Sequence, residues 1–201
     1  AIGIAGEMLS GDKFNKIFTS NAEILLEASQ DDDYRNILQL SDLSLPEAGP
    51  VLAGRLLFGM PFIERVPGVD FMIALCELAS VKNKKVFLLG GRNGVAERTA
   101  VVLKNKFPDI IISGCSENEK AASQDPILLS SDILFVALGA KQQEKWICDF
   151  SFKSSSVRMA VAVGGSFDMI SGDISRAPVF LRKMWLEWLW RFLMEPKKRW
   201  K

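Results

Sequence analysis

The sequence predicts an α/β fold in which a parallel sheet carries helices on both faces, with residues 1–201 forming a single domain. Three observations predict it. Short apolar runs alternate with stretches of helical period, which implies parallel strand pairing with crossover helices. Three of those runs end in glycine, as LLGG, VALG and AVGG, and in an open α/β sheet the ligand crevice lies beyond the carboxyl ends of the strands. Finally, 201 residues at 48% hydrophobic and 24% charged are enough to bury one full core without disorder. A Rossmann-like sheet with one shared pocket at its glycine ends is the expectation.

In chain order, residues 1–20 are weakly patterned, with Ile17 and Phe18 as a short strand leading into Thr19, Ser20 and Asn21, polar residues that favour a helix N-cap. Ile24, Leu25 and Ala28, then Tyr34, Ile37 and Leu38, predict two short helices broken near Gln30 and Asp31. Asp31, Asp32 and Asp33 read as a solvated helix start suited to the helix dipole rather than as a metal site. Leu43 to Leu45 make a brief strand ending in the turn Pro46-Glu47-Ala48-Gly49-Pro50. A helix over Val51 to Phe58, a loop from Pro61 to Pro67 holding Glu64 and Arg65, and a helix over Gly68 to Ser80 follow. Lys85 to Leu89 is a buried strand closing on Gly90-Gly91-Arg92-Asn93-Gly94, before a helix that stops at Pro108. Ile110 to Ile112 and Asp132 to Leu138 are further strands, the second ending at Gly139 ahead of a helix from about Gln142 to Asp149.

The chain is organised around its last quarter. An apolar strand, Ala160 to Val163, stops at Gly164 and Gly165, where paired glycines allow a sharp turn and close approach of a ligand to backbone N–H groups. Asp168 and Arg176 follow, so opposite charges can sit beside that turn. Residues 180–201 then read as an amphipathic aromatic helix with a basic tail: Leu181, Met184, Trp185, Trp188, Leu189, Phe192 and Leu193 share one face. Net charge is +1 overall, yet residues 182–201 hold seven Lys/Arg against two Glu, leaving the remainder acidic. Trp190, Trp200 and the Lys197, Lys198, Arg199, Lys201 cluster suit anionic headgroups, while packing of Trp185 and Trp188 into the core is equally in keeping with the spacing.

Composition also excludes. Histidine is absent, which removes Ser-His-Asp and Cys-His nucleophilic sites, His-liganded zinc and imidazole base catalysis. Three scattered cysteines, an odd number, argue against a disulfide framework or zinc cluster and for a reducing cytoplasm. Charges interrupt the aromatic helix, so no run approaches the roughly 20 apolar residues a bilayer span needs. The opening AIGIAGEML lacks the basic start of a signal peptide.

Individually the motifs are ambiguous. Gly90-Gly91-Arg92-Asn93-Gly94 lacks the third glycine of the dinucleotide fingerprint and is as well explained by a tight strand-to-helix turn. Lys141 to Lys145 after Gly139 would suit a ligand or a surface helix start. Glu47, on a turn at a strand end, is placed to take a proton from a hydroxyl, although exposed turn carboxylates are common.

Together they resemble a family. Gly164-Gly165-Ser166-Phe167-Asp168, Gly172, Arg176-Ala177-Pro178, Leu186-Glu187-Trp188-Leu189, Arg191 and Glu195-Pro196 resemble the C-terminal signature of the WecG/TagA/CpsF glycosyltransferases, glycosyltransferase family 26. Thr19-Ser20-Asn21-Ala22-Glu23 is similar to that family's T-x-N-A-E. Glu64-Arg65-Val66-Pro67-Gly68-Val69-Asp70 is similar to its E-R-V-x-G-x-D, and Gly139-Ala140 with Gln143-Glu144-Lys145-Trp146 to its G-A-P-K-Q-E-x-W. The resemblance spans about residues 17–199. It implies transfer of N-acetylmannosamine or a related hexose from a UDP-sugar to a polyprenyl-diphosphate-linked N-acetylglucosamine, with inversion and without metal or other cofactor, on the cytoplasmic side of a bacterial membrane. Cell-surface polysaccharide or teichoic acid synthesis is the implied setting. By the same resemblance Glu47 is the base, Arg65 neutralises the leaving UDP, and Thr19 and Gln143 orient the donor. Asn21, Gly90, Gly91, Gly139, Glu144, Gly164, Gly165, Asp168 and Arg176 would line the sugar and nucleotide pocket. A membrane surface is an implied partner, nucleic acid is not, and homo-oligomerisation is left open.

The chain departs from the family pattern at several positions. The P-D-G-x-G turn reads Pro46-Glu47-Ala48-Gly49-Pro50, which moves the carboxylate about one methylene outward. Lys141 and Gln142 stand at the proline and lysine positions of P-K-Q-E, the N-terminal strand-helix unit is abbreviated, and the chain stops at Lys201 where relatives continue into a basic appendage. These departures keep a second expectation alive, a catalytically impaired nucleotide-sugar-binding relative. A third, an NAD-dependent oxidoreductase, rests only on the strand-Gly-helix pattern.

Overall fold

The computed structural model describes residues 1–59, 64–150, 155–178, 180–181 and 190. Six parallel strands form one sheet: β1 (Asn15–Ser20), β2 (Leu43–Pro46), β3 (Lys85–Gly90), β4 (Ile111–Ser116), β5 (Ile133–Ala137) and β6 (Met159–Ala162), in the spatial order β2-β1-β6-β5-β3-β4. Because all six run the same way, every carboxyl end lies along one edge. The predicted α/β Rossmann-like architecture is the one observed.

The central strands are buried on both faces, which is why they read as unbroken apolar runs. On one face Ile17, Leu45, Val86, Leu88, Phe135 and Val161 pack beneath α1 (Ile2–Ser10), α5 (Gly68–Val81), α6 (Val95–Lys106) and α10 (Ser166–Ser171). On the other, Phe18, Phe87, Leu134, Val136 and Ala160 pack beneath α7 (Glu119–Ala122), α8 (Pro126–Leu129) and α9 (Gln142–Asp149). Full burial of a side chain such as Phe135 stabilises by about 1.5–3 kcal/mol. A satellite cluster of Ile24, Ala28 and Tyr34 joins α2 (Ala22–Gln30) to α3 (Asp32–Gln39).

Polar residues set where elements begin. The Asn21 side chain accepts the Ile24 N–H at 3.0 Å and caps α2, and Asp31 accepts the Tyr34 N–H at 2.9 Å and caps α3. The Asp31–Asp33 run is thus a helix start, as its sequence implies. At the amino edge of the sheet, Asp132 takes the Lys85 N–H at 2.8 Å and the Lys84 ammonium at 2.9 Å, tying β5 to β3.

Several elements differ from expectation. Residues 2–10 form α1, whose Ala5 and Leu9 are buried; its sequence, rich in Gly and Ile, carries little helical period. Helix α4 (Ala48–Phe58) starts earlier than Val51, taking Gly49 and Pro50 into its first turn, where proline gives up no helical hydrogen bond. Strand β4 runs on to Ser116 past a bulge, and Gly114 lies so close to the Phe87 ring that a Cβ would stand 2.8 Å from it. Of the predicted loop from Pro61 to Pro67, residues 61–63 lie outside the described set. So does most of the aromatic helix and basic tail of 180–201; Trp190, which is described, donates its indole N–H to the Ser175 carbonyl at 3.0 Å.

Candidate active site

The carboxyl edge of β2, β1, β6 and β5 brings the predicted residues together. Glu47 immediately follows β2; its N–H donates to the Ser20 carbonyl at 2.8 Å, and its carboxylate accepts the N–H of Gly68, the first residue of α5, at 3.3 Å. Val66 donates its N–H to the Pro46 carbonyl at 2.9 Å, so the segment carrying Arg65 runs beside the Glu47 turn. Gly68 in turn lies against Thr19: a Cβ on Gly68 would stand 3.1 Å from the Thr19 methyl and 3.5 Å from the Ser166 hydroxyl. Thr19, buried near the end of β1, donates its hydroxyl to the Ala162 carbonyl at 2.9 Å, and Ser166 donates to the Val163 carbonyl at 2.7 Å. The end of β6 is therefore held from both sides just before Gly164.

Gly164 (φ +51) and Gly139 (φ +92) adopt backbone angles that favour glycine, and a Cβ at either would meet nothing within 4 Å. At both positions it is the backbone angle, with no crowding beside it, that calls for glycine. Gly165 precedes α10, and Asp168 sits in its first turn. Gln143 and Glu144, at the start of α9, are buried; the Gln143 carboxamide accepts the Gly164 N–H at 3.1 Å and donates to the Glu144 carboxylate at 2.7 Å. Glu144 also accepts the Tyr34 hydroxyl at 3.2 Å. Burial pushes the Glu144 carboxyl above its ordinary value, with the Gln143 and Tyr34 hydrogen bonds pulling the other way.

Other predicted residues make structural contacts. Asn21 spends its carboxamide oxygen on the α2 cap. Arg176 forms an ion pair at 2.6 Å with Asp70 of α5, linking the Arg176-Ala177-Pro178 and Glu64-to-Asp70 motifs. Gly90 and Gly91 serve the tight turn: the Gly91 N–H donates to the Ala137 carbonyl at 3.1 Å, and a Cβ on Gly91 would stand 3.3 Å from the Phe167 ring. The Glu117 carboxylate takes the Gly94 N–H at the start of α6. A depression of about 420 Å³ lined in part by Asp12, Lys82, Lys84 and Arg158 lies at the opposite edge of the sheet, and its Lys84 and Arg158 are paired with Asp132 and Asp12.

Residues 3–201 match the Glycosyl transferase WecG/TagA/CpsF family. The chain belongs to that family. It is 36% identical over 189 residues to an N-acetylglucosaminyldiphosphoundecaprenol N-acetyl-beta-D-mannosaminyltransferase of Bacillus spizizenii, an alignment covering 92% of this chain and 73% of the relative. Proteins of the same name from Bacillus subtilis (92% of this chain, 73% of the relative) and Staphylococcus aureus strain MW2 (90% and 73%) are each 31% identical.

As a glycosyltransferase, the protein presents a carboxylate, a buried hydroxyl and two open glycine turns along one edge. A carboxylate there can accept a proton from an attacking hydroxyl, and glycine turns with open space where a Cβ would stand let an anionic leaving group approach the backbone. Among the described residues no three His, Cys, Asp or Glu side chains are grouped to hold an ion. Sequence reasoning overlooked Tyr34, Gly68 and Ser166 as site residues. Gly68 had a signal, as the glycine of the Glu64-to-Asp70 motif, though its closeness to Thr19 did not; the pairing of Tyr34 with Glu144 had none, because 110 residues separate them.

Proposed function

We propose that the protein is an inverting, metal-independent transferase that moves N-acetylmannosamine, or a related hexose, from a UDP-sugar to a polyprenyl-diphosphate-linked N-acetylglucosamine. The names of its relatives supply the sugar and the lipid-linked acceptor. The observation that carries the mechanism is the placement of Glu47: its carboxylate, steadied by the Gly68 N–H at 3.3 Å, stands where β2 and β1 end beside Thr19 and the Arg65 segment. In this reading Glu47 takes the proton from the acceptor hydroxyl as that oxygen attacks the anomeric carbon. Arg65 and backbone N–H groups of the glycine turns other than that of Gly164, which Gln143 holds, take up charge on the departing UDP, which is the electrostatic part of the rate enhancement. Thr19 borders the donor sugar, while Asp168 and Gly165 lie by the nucleotide. The basic, aromatic residues of 182–201, carrying a net +5, would draw the pocket to the anionic inner face of the plasma membrane, where a lipid-linked acceptor resides. No helix of the described residues is long and apolar enough to cross a membrane.

Glu47→Gln tests the assignment. Loss of general base catalysis lowers kcat by about 10²- to 10⁴-fold, with UDP affinity retained. A variant that transfers sugar as fast as the parent removes Glu47 from the role. Tight UDP binding by the parent without turnover would instead mark an impaired nucleotide-sugar-binding relative.

A further inference from the structure

Lys141, the residue before α9, is one of three non-glycine residues with positive φ among the described residues, at φ +66 and ψ −45. The Gln142 N–H donates to the Ala140 carbonyl at 2.8 Å across it, a three-residue γ-turn of the rare, strained hand. Such a conformation costs of itself and persists only where its surroundings over-determine it. Here they do: the Lys141 N–H donates to the Tyr34 hydroxyl oxygen at 3.2 Å, and its ammonium pairs with Asp31, the cap of α3. The first turn of α3 thus grips the turn that opens α9.

The grip continues inward. The Tyr34 hydroxyl proton goes to the Glu144 carboxylate, whose other oxygen accepts the Gln143 carboxamide N–H; the Gln143 carboxamide oxygen is thereby aimed at the Gly164 N–H. Turning the carboxamide over would set its oxygen against the Glu144 carboxylate and its NH₂ against the Gly164 N–H, two repulsive contacts in place of two hydrogen bonds. Tyr34, Gln143 and Glu144 are each at most 1% exposed, so water cannot substitute for a missing partner.

We propose that Tyr34 and Glu144 are positioning residues: through the strained turn at Lys141 and the Gln143 carboxamide they clamp the Gly164-Gly165 turn in the form that receives the donor's nucleotide diphosphate. Gln143 then acts through Gly164 as a strut, with both ends of its carboxamide engaged inside the protein. The functional half of this rests on the carboxyl-edge site proposed above; the clamp itself does not.

Tyr34→Phe removes the hydroxyl while keeping the ring among Ile24 and Ala28. Two readouts follow in the full chain: hydrogen exchange of the Gly164 amide, and UDP affinity by calorimetry alongside donor KM and kcat. The clamp predicts faster exchange at Gly164 with Phe87 in β3 unchanged, and UDP binding about tenfold weaker, the effect of about 1.4 kcal/mol, expressed in donor KM more than in kcat. Glu144→Gln, which keeps an acceptor for Gln143 but leaves the Tyr34 hydroxyl proton without one, falls between parent and Tyr34→Phe, and it carries the test if Tyr34→Phe does not fold. Unchanged Gly164 exchange in the folded variant overturns the clamp, and unchanged UDP affinity despite faster exchange overturns its role in binding. If the parent binds no UDP, the functional reading fails while the exchange measurement still decides the clamp.

Discussion

Glu144 is a carboxylate with no exposed surface whose hydrogen-bond partners include the Gln143 carboxamide and the Tyr34 hydroxyl. Its folded-state proton affinity lies above the ordinary carboxyl value because charging it in the interior is costly, and the Tyr34 hydroxyl, itself shifted upward by burial and by Glu144, stays a donor at neutral pH. The sign of the linkage is fixed by this. With the folded protein holding that proton more tightly than the unfolded chain, Glu144 subtracts stability as pH rises from the ordinary carboxyl range through the raised value. Glu144→Gln abolishes that component. Thermal unfolding of both proteins from about pH 4 to about pH 8 should show the melting temperature of the variant gaining on the parent as pH rises and then levelling. A constant difference would mean that Glu144 titrates alike in both states. Glu47 presents another residue-scale question: its place as a carboxylate on a strand-end turn was legible, but its link to the Gly68 N–H was not, since 21 residues separate the two.

Elements were legible in proportion to how much their own residues dictate them. β3, β5 and β6, buried on both faces, announce themselves as apolar runs, whereas α1 owes its place to packing of Ala5 and Leu9 against the core that holds α5 and could not be read from its own pattern. Helices α7 and α8, of four residues each, are too short to show a period. The glycine ends were legible as turns, though their reasons differ. Gly164 and Gly139 need only their backbone angle; Gly90, at φ +102, also faces the Ala137 carbonyl so closely that a Cβ would collide with it. Gly90→Ala therefore strains the backbone and pries β3 from β5, and it should cost at least about 2 kcal/mol in denaturant unfolding. Gly139→Ala carries backbone strain without the clash and should cost less. Equal losses would mean that crowding against β5 contributes nothing.

Across the whole molecule, strand alternation implied a parallel sheet with helices on both faces, but the order β2-β1-β6-β5-β3-β4 could not be read from alternation alone. That order is what turns scattered motifs into a site: residues as distant as Thr19, Glu47, Gly139 and Gly164 come to one edge because β1, β2, β5 and β6 are neighbours there. Charge is organised at the same scale, with +5 on residues 182–201 against a net −4 on the rest, so that attraction to an anionic membrane would fall on one end of the chain. The activity proposed for the whole molecule is acceptor-dependent sugar transfer from a UDP-sugar without metal. UDP release from a panel of UDP-sugars, in chelator, with and without a short-chain polyprenyl-diphosphate N-acetylglucosamine, measures it directly. Release from UDP-N-acetylmannosamine only when the acceptor is present is the predicted result; release that needs added divalent metal, or none from any donor with acceptor supplied, would contradict it.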